Sequence, residues 1–95
     1  RIPYGEEISA ERLTRIAAAE EFIKKVIGVN QLRVRDHGNL ARIEVSKEER
    51  KLLFNEKLWN TIVKNLHSLG YIYVTMDMQG YRSGAMDEPL KKSSK

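Results

Sequence analysis

The sequence predicts an α+β fold. We expect a two-layer sandwich with the order helix, strand, strand, helix, strand, in which both helices cover one face of a three-stranded sheet. Apolar residues recur at helical spacing in residues 10–27 and 56–69, and they alternate with polar residues in residues 32–45 and 71–78. A chain of 95 residues is long enough for one domain with a modest core. The arrangement is similar to half of a ferredoxin-like fold.

The composition bounds the domain organisation. We expect one α+β domain over residues 1–88 and a disordered tail over residues 89–95, whose sequence is PLKKSSK. The chain begins at Arg1 instead of a methionine, which predicts a fragment or a processed product. No run of residues reaches membrane-spanning length and no signal peptide opens the sequence. We therefore expect no membrane partner and a cytoplasmic location.

Charge and cysteine content limit the classes of function. The net charge of +4 allows an anionic partner but does not require nucleic acid. The chain contains no cysteine, so it can hold no disulfide, thiolate metal site or cysteine nucleophile of its own.

The first predicted helix runs from Ala10 to about Ile27. Ser9 is a typical N-cap, and Gly28 is a typical residue at which a helix ends. Glu20 falls between apolar positions of this helix, close to the apolar stripe.

Two strands joined by a tight turn follow this helix. Leu32 and Val34 alternate with Arg33 and Arg35, and Asp36-His37-Gly38-Asn39 supplies the turn, with Gly38 free to take a positive φ. A four-residue turn places Leu32 opposite Ile43, Val34 opposite Ala41 and Arg33 opposite Arg42. Like charges opposed on one sheet face are unfavourable, so this face carries more positive charge than folding needs.

The second helical region begins with a capping box formed by Ser46 and Glu49. A short helical piece closes at Phe54, and Asn55 caps a helix that continues to Leu69. In the third strand, residues 71–78, we expect Ile72, Val74, Met76 and Met78 to face the core. A right-handed crossover predicts the sheet order second, first, third strand.

The helices leave the other face of the predicted sheet open. The polar and aromatic residues expected there are Arg33, Arg35, Arg42, Glu44, Tyr73, Thr75 and Asp77. Asp77 is expected to pair with Arg33 or Arg35. The arginines are either solvated strand residues or contacts for an anion. Arg82 and Ser83 lie in the glycine-bracketed segment 79–84, which either cradles a phosphate or forms a plain turn.

Five segments, in order, carry a family resemblance: RIPYGEEI from Arg1, AEEF from Ala19, LRVRDHG from Leu32, ARIEV from Ala41, and YVTMD through GYRSG from Tyr73. The chain resembles the C-terminal portion of the ATP-dependent sacrificial sulfur transferases. These are PP-loop superfamily enzymes that place sulfur on a pyridinium nucleotide during synthesis of the nickel-pincer cofactor.

The resemblance implies several properties that residue patterns alone do not show. An N-terminal PP-loop domain of the same protein would bind ATP and Mg and would be the partner of this domain, along with the nucleotide substrate and, in a homo-oligomer, further copies of the chain. Arg33 and Arg35 would hold phosphate. A glutamate of the preceding helix, Glu20 or Glu21, would help with a metal ion, and we choose Glu20.

The chain also departs from the family pattern. The SGGxDS-type nucleotide-binding loop and the sulfur-donating cysteine are absent, and the usual GYRSGSMN ending is GYRSGAMDE, with Ala85 and Asp87 substituted. We therefore expect this fragment alone to hold no cofactor and to perform no catalysis. The alternative is a small nucleic-acid-binding module that uses the open basic sheet face. RNA-binding sheets stack bases on exposed aromatic residues, and Tyr73 is the only aromatic residue predicted on this face.

Overall fold

The computed structural model describes residues 9–81. Within that range it has the helices α1 (Ala10–Ile27) and α2 (Glu56–Ser68) and the strands β1 (Leu32–Asp36), β2 (Leu40–Val45) and β3 (Tyr73–Met76). A short 3-10 helix, Arg50–Leu53, lies between β2 and α2. The helices pack on the sheet, so the predicted α+β class is confirmed. Arg82, Ser83 and the predicted tail over residues 89–95 lie outside the described residues.

The helix boundaries follow from the capping residues. The Ser9 side chain accepts a hydrogen bond from the Arg12 N–H at 3.1 Å, and the Asn55 side chain accepts one from the Leu58 N–H at 3.1 Å. These bonds satisfy N–H groups that have no partner in the first helical turn. At the other end of α1, Gly28 adopts the left-handed conformation with φ of 73°. The predicted starts of both helices and the predicted end of α1 are confirmed.

The order of the strands differs from the prediction. β1 is antiparallel to β2, and β3 is parallel to β2, which gives the order β1-β2-β3. The predicted order, with the first strand in the middle, is wrong. The Val34 N–H on β1 donates to Glu20 Oε2 at 2.9 Å, so this side chain takes a hydrogen bond that a neighbouring strand would otherwise accept. The chain leaves β2, passes through α2 and returns as β3 directly beside β2.

The register of the hairpin is also two residues away from the prediction. Arg33 lies opposite Glu44, and Arg35 lies opposite Arg42. The loop is Gly38-Asn39, closed by a hydrogen bond from the His37 N–H to the Leu40 carbonyl at 2.9 Å. Two-residue loops match the twist of paired strands, which favours this register over a four-residue turn. A two-residue shift preserves the alternation, so each side chain keeps its predicted face.

The core lies between the sheet and the helices. It contains Ala19, Ile23, Val29, Leu32, Val34, Ala41, Ile43, Val45, Leu53, Ile62, Leu66 and Tyr71. Ile72 and Met78, predicted to be core residues, are 57% and 80% exposed, because β3 is only four residues long and both lie outside it. Tyr71 is buried in their place. No helix within residues 9–81 is long and apolar enough to cross a membrane.

Candidate functional site

The candidate site lies on the sheet face opposite the helices. Side chains alternate along each strand, so the buried positions of β1 and β2 leave the arginine positions on the other face. We call this surface the arginine face; it comprises Arg33, Arg35, Arg42, Glu44, Tyr73, Thr75 and Asp77. The structure thus brings the predicted residues Arg33, Arg35 and Arg42 onto one surface.

Glu44 lies at the centre of the arginine face and is only 7% exposed. Arg35 Nε donates to its Oε1 at 3.2 Å, and Arg42 Nη2 donates to its Oε2 at 3.0 Å. One carboxylate therefore joins two cations that lie opposite each other on neighbouring strands. The repulsion expected between opposed arginines is offset in this way, and both cations remain partly exposed.

Asp77 contributes the second carboxylate of the face. Its Oδ2 lies 3.5 Å from Arg42 Nε, a distance of ion pairing but not of a strong hydrogen bond. Arg42 Nε is buried and has no hydrogen-bond partner within the described range. The expected pairing of Asp77 with Arg33 or Arg35 is wrong, because β3 lies beside β2 and so brings Asp77 to Arg42 instead.

Arg33 differs from the other two arginines. It lies opposite Glu44, but both oxygens of that carboxylate are held by Arg35 and Arg42. The Arg33 guanidinium carbon lies over the Tyr81 ring, 5.0 Å from its centroid, and Nη1 donates to the Leu32 carbonyl at 3.1 Å. Among residues 9–81, no carboxylate forms an ion pair with Arg33. Its positive charge is therefore not compensated there.

The segment after β3 places the Tyr81 ring beside Arg33. The Gly80 N–H donates to the Asp77 carbonyl at 3.0 Å, and the Tyr81 N–H donates to the Val45 carbonyl at 2.7 Å. Gly80 has φ of 82°, and a Cβ at this position would lie 2.4 Å from the Val45 oxygen. Only glycine fits such a close approach of two backbones. Sequence spacing gave no signal for the role of Tyr81.

Glu20, predicted as a metal ligand, lies on α1 at the edge of β1. One of its carboxylate oxygens accepts the hydrogen bond from the Val34 N–H. Within residues 9–81, no group of three or more His, Cys, Asp or Glu side chains is arranged to hold a metal ion. The described residues do not by themselves form a metal site. A metal-binding role of Glu20 stays a prediction that requires ligands from elsewhere.

Asp36 forms a second charged cluster that the sequence analysis missed, because it assigned this residue to the turn. Its side chain is 3% exposed and accepts hydrogen bonds from Arg12 Nη2 at 2.6 Å, Arg15 Nη2 at 2.7 Å and the Tyr71 hydroxyl at 2.7 Å. Burial by itself raises the pKa of a carboxyl group. The hydrogen bonds from Tyr71, Arg15, Arg12 and the Gly38 N–H outweigh burial, so the pKa of Asp36 lies well below its usual range.

Tyr71 is held from two sides in this cluster. The Arg15 guanidinium carbon lies 4.1 Å from the centroid of its ring, and its hydroxyl donates to Asp36. Burial, reinforced by the hydrogen bond to the Asp36 carboxylate, raises the pKa of Tyr71 to about 12. This cluster ties the hairpin tip to α1, which makes it a structural feature. The sequence did contain a signal for a buried acid: Arg12 and Arg15 lie three residues apart beside the apolar stripe of α1.

An apolar cleft of about 290 Å³ opens between α2 and β3. Its lining consists of Ile43, Leu53, Trp59, Ile62, Val63, Val74, Thr75 and Met76. The cleft lies at the other edge of the sheet from Arg33, so it is separate from that side chain.

Comparison with known proteins gives three informative relatives. The chain is 40% identical to an uncharacterized protein from Synechocystis, a match that covers 97% of the chain and 34% of that protein. It is 36% identical to the pyridinium-3,5-bisthiocarboxylic acid mononucleotide synthase of Lactiplantibacillus plantarum, over 98% of the chain and 33% of the synthase. An uncharacterized protein from Methanocaldococcus jannaschii is 36% identical over 87% of the chain and 31% of that protein. No protein-family model matches the chain. The chain spans about a third of the length of these curated relatives.

Proposed function

We propose that this chain is the C-terminal, substrate-side domain of an ATP-dependent sulfur transferase that acts on a pyridinium nucleotide. The match to the Lactiplantibacillus synthase over nearly the whole chain supports the proposal. So does the order of the five segments that resemble the sacrificial sulfur transferases. In this proposal an N-terminal PP-loop domain of the same protein supplies ATP and Mg binding, and this chain supplies an arginine-lined contact for the substrate phosphate.

The observation that carries the phosphate role is the uncompensated charge of Arg33. The arginine face holds three arginines and two carboxylates, and the ion pairs join Arg35 and Arg42 to those carboxylates. Arg33 keeps its charge and its exposure. A guanidinium presents several N–H donors in a fork that matches phosphate oxygens, which makes charge-assisted, bidentate hydrogen bonds available.

Arg35 and Arg42 are suited to a supporting role. Each uses one described hydrogen bond to Glu44 and has further N–H donors. Because both side chains are partly exposed, their remaining N–H groups can donate to an anion bound at Arg33 while their ion pairs with Glu44 are kept. Among residues 9–81, this face keeps a net surplus of one positive charge, which attracts an anionic group such as phosphate. Arg82 and Ser83, which directly follow Tyr81 in the sequence, remain proposed contacts.

The nucleic-acid-binding alternative finds less support. Binding to a polyanion requires several uncompensated cations along the groove or sheet, because counterion release scales with the number of phosphates contacted. Here Glu44 and Asp77 cancel most of the positive charge. Two aromatic residues, Tyr73 and Tyr81, lie near the arginines. The ring of Tyr81 is already covered by Arg33, so that face of the ring is not available to stack on a base.

A titration of the 95-residue chain with a nucleoside monophosphate, followed by backbone amide shifts, tests the phosphate site. We expect weak, salt-sensitive binding that perturbs Arg33, Arg35 and Arg42 together. Arg33→Ala should weaken binding about tenfold or more, because a hydrogen bond to a charged group is lost. Replacing Arg33 and Arg35 together with alanine should abolish the shifts and leave the fold intact.

Lys64→Ala is the matched control, since it removes one exposed positive charge from α2, away from the arginine face. This variant should bind like the wild type. Shifts that cluster on the helices or on the lysines of the C-terminal tail would contradict the phosphate site. Tighter binding of a single-stranded RNA oligonucleotide than of the mononucleotide would favour the nucleic-acid alternative.

A further inference from the structure

We propose that Tyr81 is a positioning residue for Arg33. Its ring orients the guanidinium on the arginine face and leaves the positive charge available to an anionic phosphate group. This inference rests on the proposed phosphate site and adds to it a residue that neither the sequence pattern nor the family resemblance assigns to a role.

The chemistry of the partner separates Arg33 from its neighbours. Arg35 and Arg42 are held by carboxylates, which fix their position and cancel their charge. Arg33 is held by an aromatic ring at 5.0 Å, within the range at which a cation over a ring face is attracted to it. A neutral ring restricts the side chain without neutralising it. Arg33 is thereby both oriented and still able to attract an anion.

The position of the Tyr81 ring is itself fixed by the backbone. The Tyr81 N–H donates to the Val45 carbonyl at the end of β2, and Gly80 packs against the same oxygen without room for a Cβ. The side chain of Tyr81 is partly buried, whereas Arg33 is exposed. The better-anchored partner is the ring, so Tyr81 positions Arg33 and not the reverse.

Holding Arg33 in place should raise affinity by reducing the side-chain freedom lost when an anion binds. A contact of this kind at an exposed site corresponds to about a two- to fivefold change in a dissociation constant. We therefore expect Tyr81→Ala to weaken binding of a nucleoside monophosphate to the 95-residue chain by about two- to fivefold. This loss is smaller than that of Arg33→Ala, which removes the cation.

Three further variants separate positioning from a general structural effect. Tyr81→Phe keeps the ring and should bind like the wild type. Tyr81→Leu keeps apolar bulk without an aromatic face and should behave like Tyr81→Ala. Phe54→Ala removes an aromatic residue that is 66% exposed and lies outside the arginine face, and it should leave affinity unchanged.

The nuclear magnetic resonance signal of the Arg33 Nε–H group gives a readout that does not depend on phosphate. In the free protein it should show a ring-current shift that Tyr81→Phe retains and that Tyr81→Ala and Tyr81→Leu lose. Wild-type affinity in both non-aromatic variants, alongside weak binding by Arg33→Ala, would overturn the role of Tyr81 while the phosphate site stands. Absence of binding by the wild type would instead overturn the phosphate site, even with the ring-current shift present, and the positioning role for an anion would fall with it.

Discussion

Within residues 9–81, two carboxylates each bridge two arginines, and they lie on opposite faces of the sheet. Glu44 bridges Arg35 and Arg42 on the arginine face, and Asp36 bridges Arg12 and Arg15 on the helix side. A bridging carboxylate offsets the repulsion between two nearby cations. Arg33 is left with an aromatic neighbour, and this single difference in partner carries the proposed function.

Asp36→Asn should destabilise the chain strongly at pH 7. The change removes the carboxylate that pairs with both Arg12 and Arg15. Breaking a buried ion pair costs about 3–5 kcal/mol in unfolding free energy. Because both arginine side chains are about a fifth exposed, we expect a loss near the lower end of that range. Urea unfolding of the variant and the wild type measures this difference. A loss of a few tenths would mean that the cluster is solvated.

The pH dependence of this difference has a defined sign. The folded-state pKa of Asp36 is lowered, so its contribution to stability is full above the unfolded pKa, near 4, and is lost as pH falls toward the folded value. The gap in unfolding free energy between the wild type and Asp36→Asn should shrink by about 1 kcal/mol from pH 7 to pH 3. Unfolding curves at both pH values check this, and a constant gap would contradict it.

At the scale of elements, the two edge strands of the sheet, β1 and β3, differ in what lies beside them. The outer side of β1 is partly covered by the Glu20 side chain, which accepts from the Val34 N–H. The outer side of β3 lies beside the apolar cleft, and no described strand pairs with it. β2 is the central strand, and it carries the buried residues of the core together with Glu44. The site therefore spans an edge strand and the central strand: Arg33 and Arg35 lie on β1, and Arg42 and Glu44 lie on β2.

Ile62 on α2 is the clearest test of the packing between helix and sheet. It is buried, so Ile62→Ala should cost about 2–5 kcal/mol in unfolding free energy. Ile72→Ala makes the same chemical change at an exposed position and should cost within about 0.5 kcal/mol. Urea melts of both variants check the pair. Similar losses in the two would show that the packing face is misassigned.

Gly80→Ala tests the close approach between the segment after β3 and β2. Both Gly80 and Gly38 have φ of 82°, but a Cβ at Gly38 would meet nothing within 4 Å. The Gly38→Ala variant therefore measures the backbone cost alone, about 1–2 kcal/mol. Gly80→Ala adds a clash with the Val45 carbonyl and should cost about 1–3 kcal/mol more. Equal unfolding free energies for the two variants would rule out the close approach.

At the scale of the whole molecule, the described part of the chain has a core but lacks the parts that the proposed reaction requires. The sequence contains neither the SGGxDS-type nucleotide loop nor a cysteine, and it spans about a third of its relatives. We therefore expect the 95-residue chain to fold and to release no pyrophosphate when incubated with ATP and magnesium. A pyrophosphate assay against a matched blank checks this. Turnover above the blank would contradict the proposed division of roles between this chain and an N-terminal PP-loop domain.

Local patterns in the sequence determined the order of the helices and strands and the face of each residue that lies in a strand. They overestimated the length of β3, so Ile72 and Met78 were wrongly assigned to the core. Ser9, Gly28 and Asn55 set helix ends through short-range capping bonds, which depend on neighbours a few residues away. The placement of Arg33, Arg35 and Arg42 on one face survived a register error of two residues, because strand side chains repeat every two positions.

Tertiary structure alone decided which charges meet. Whether Asp77 reaches Arg42 or Arg33 depends on the strand order, which follows from the path of the chain after α2. The burial of Asp36 depends on arginines more than 20 residues away, and the ring under Arg33 depends on a backbone contact between Gly80 and Val45. These pairings are set by distances between elements, and periodicity along one element carries no information about them.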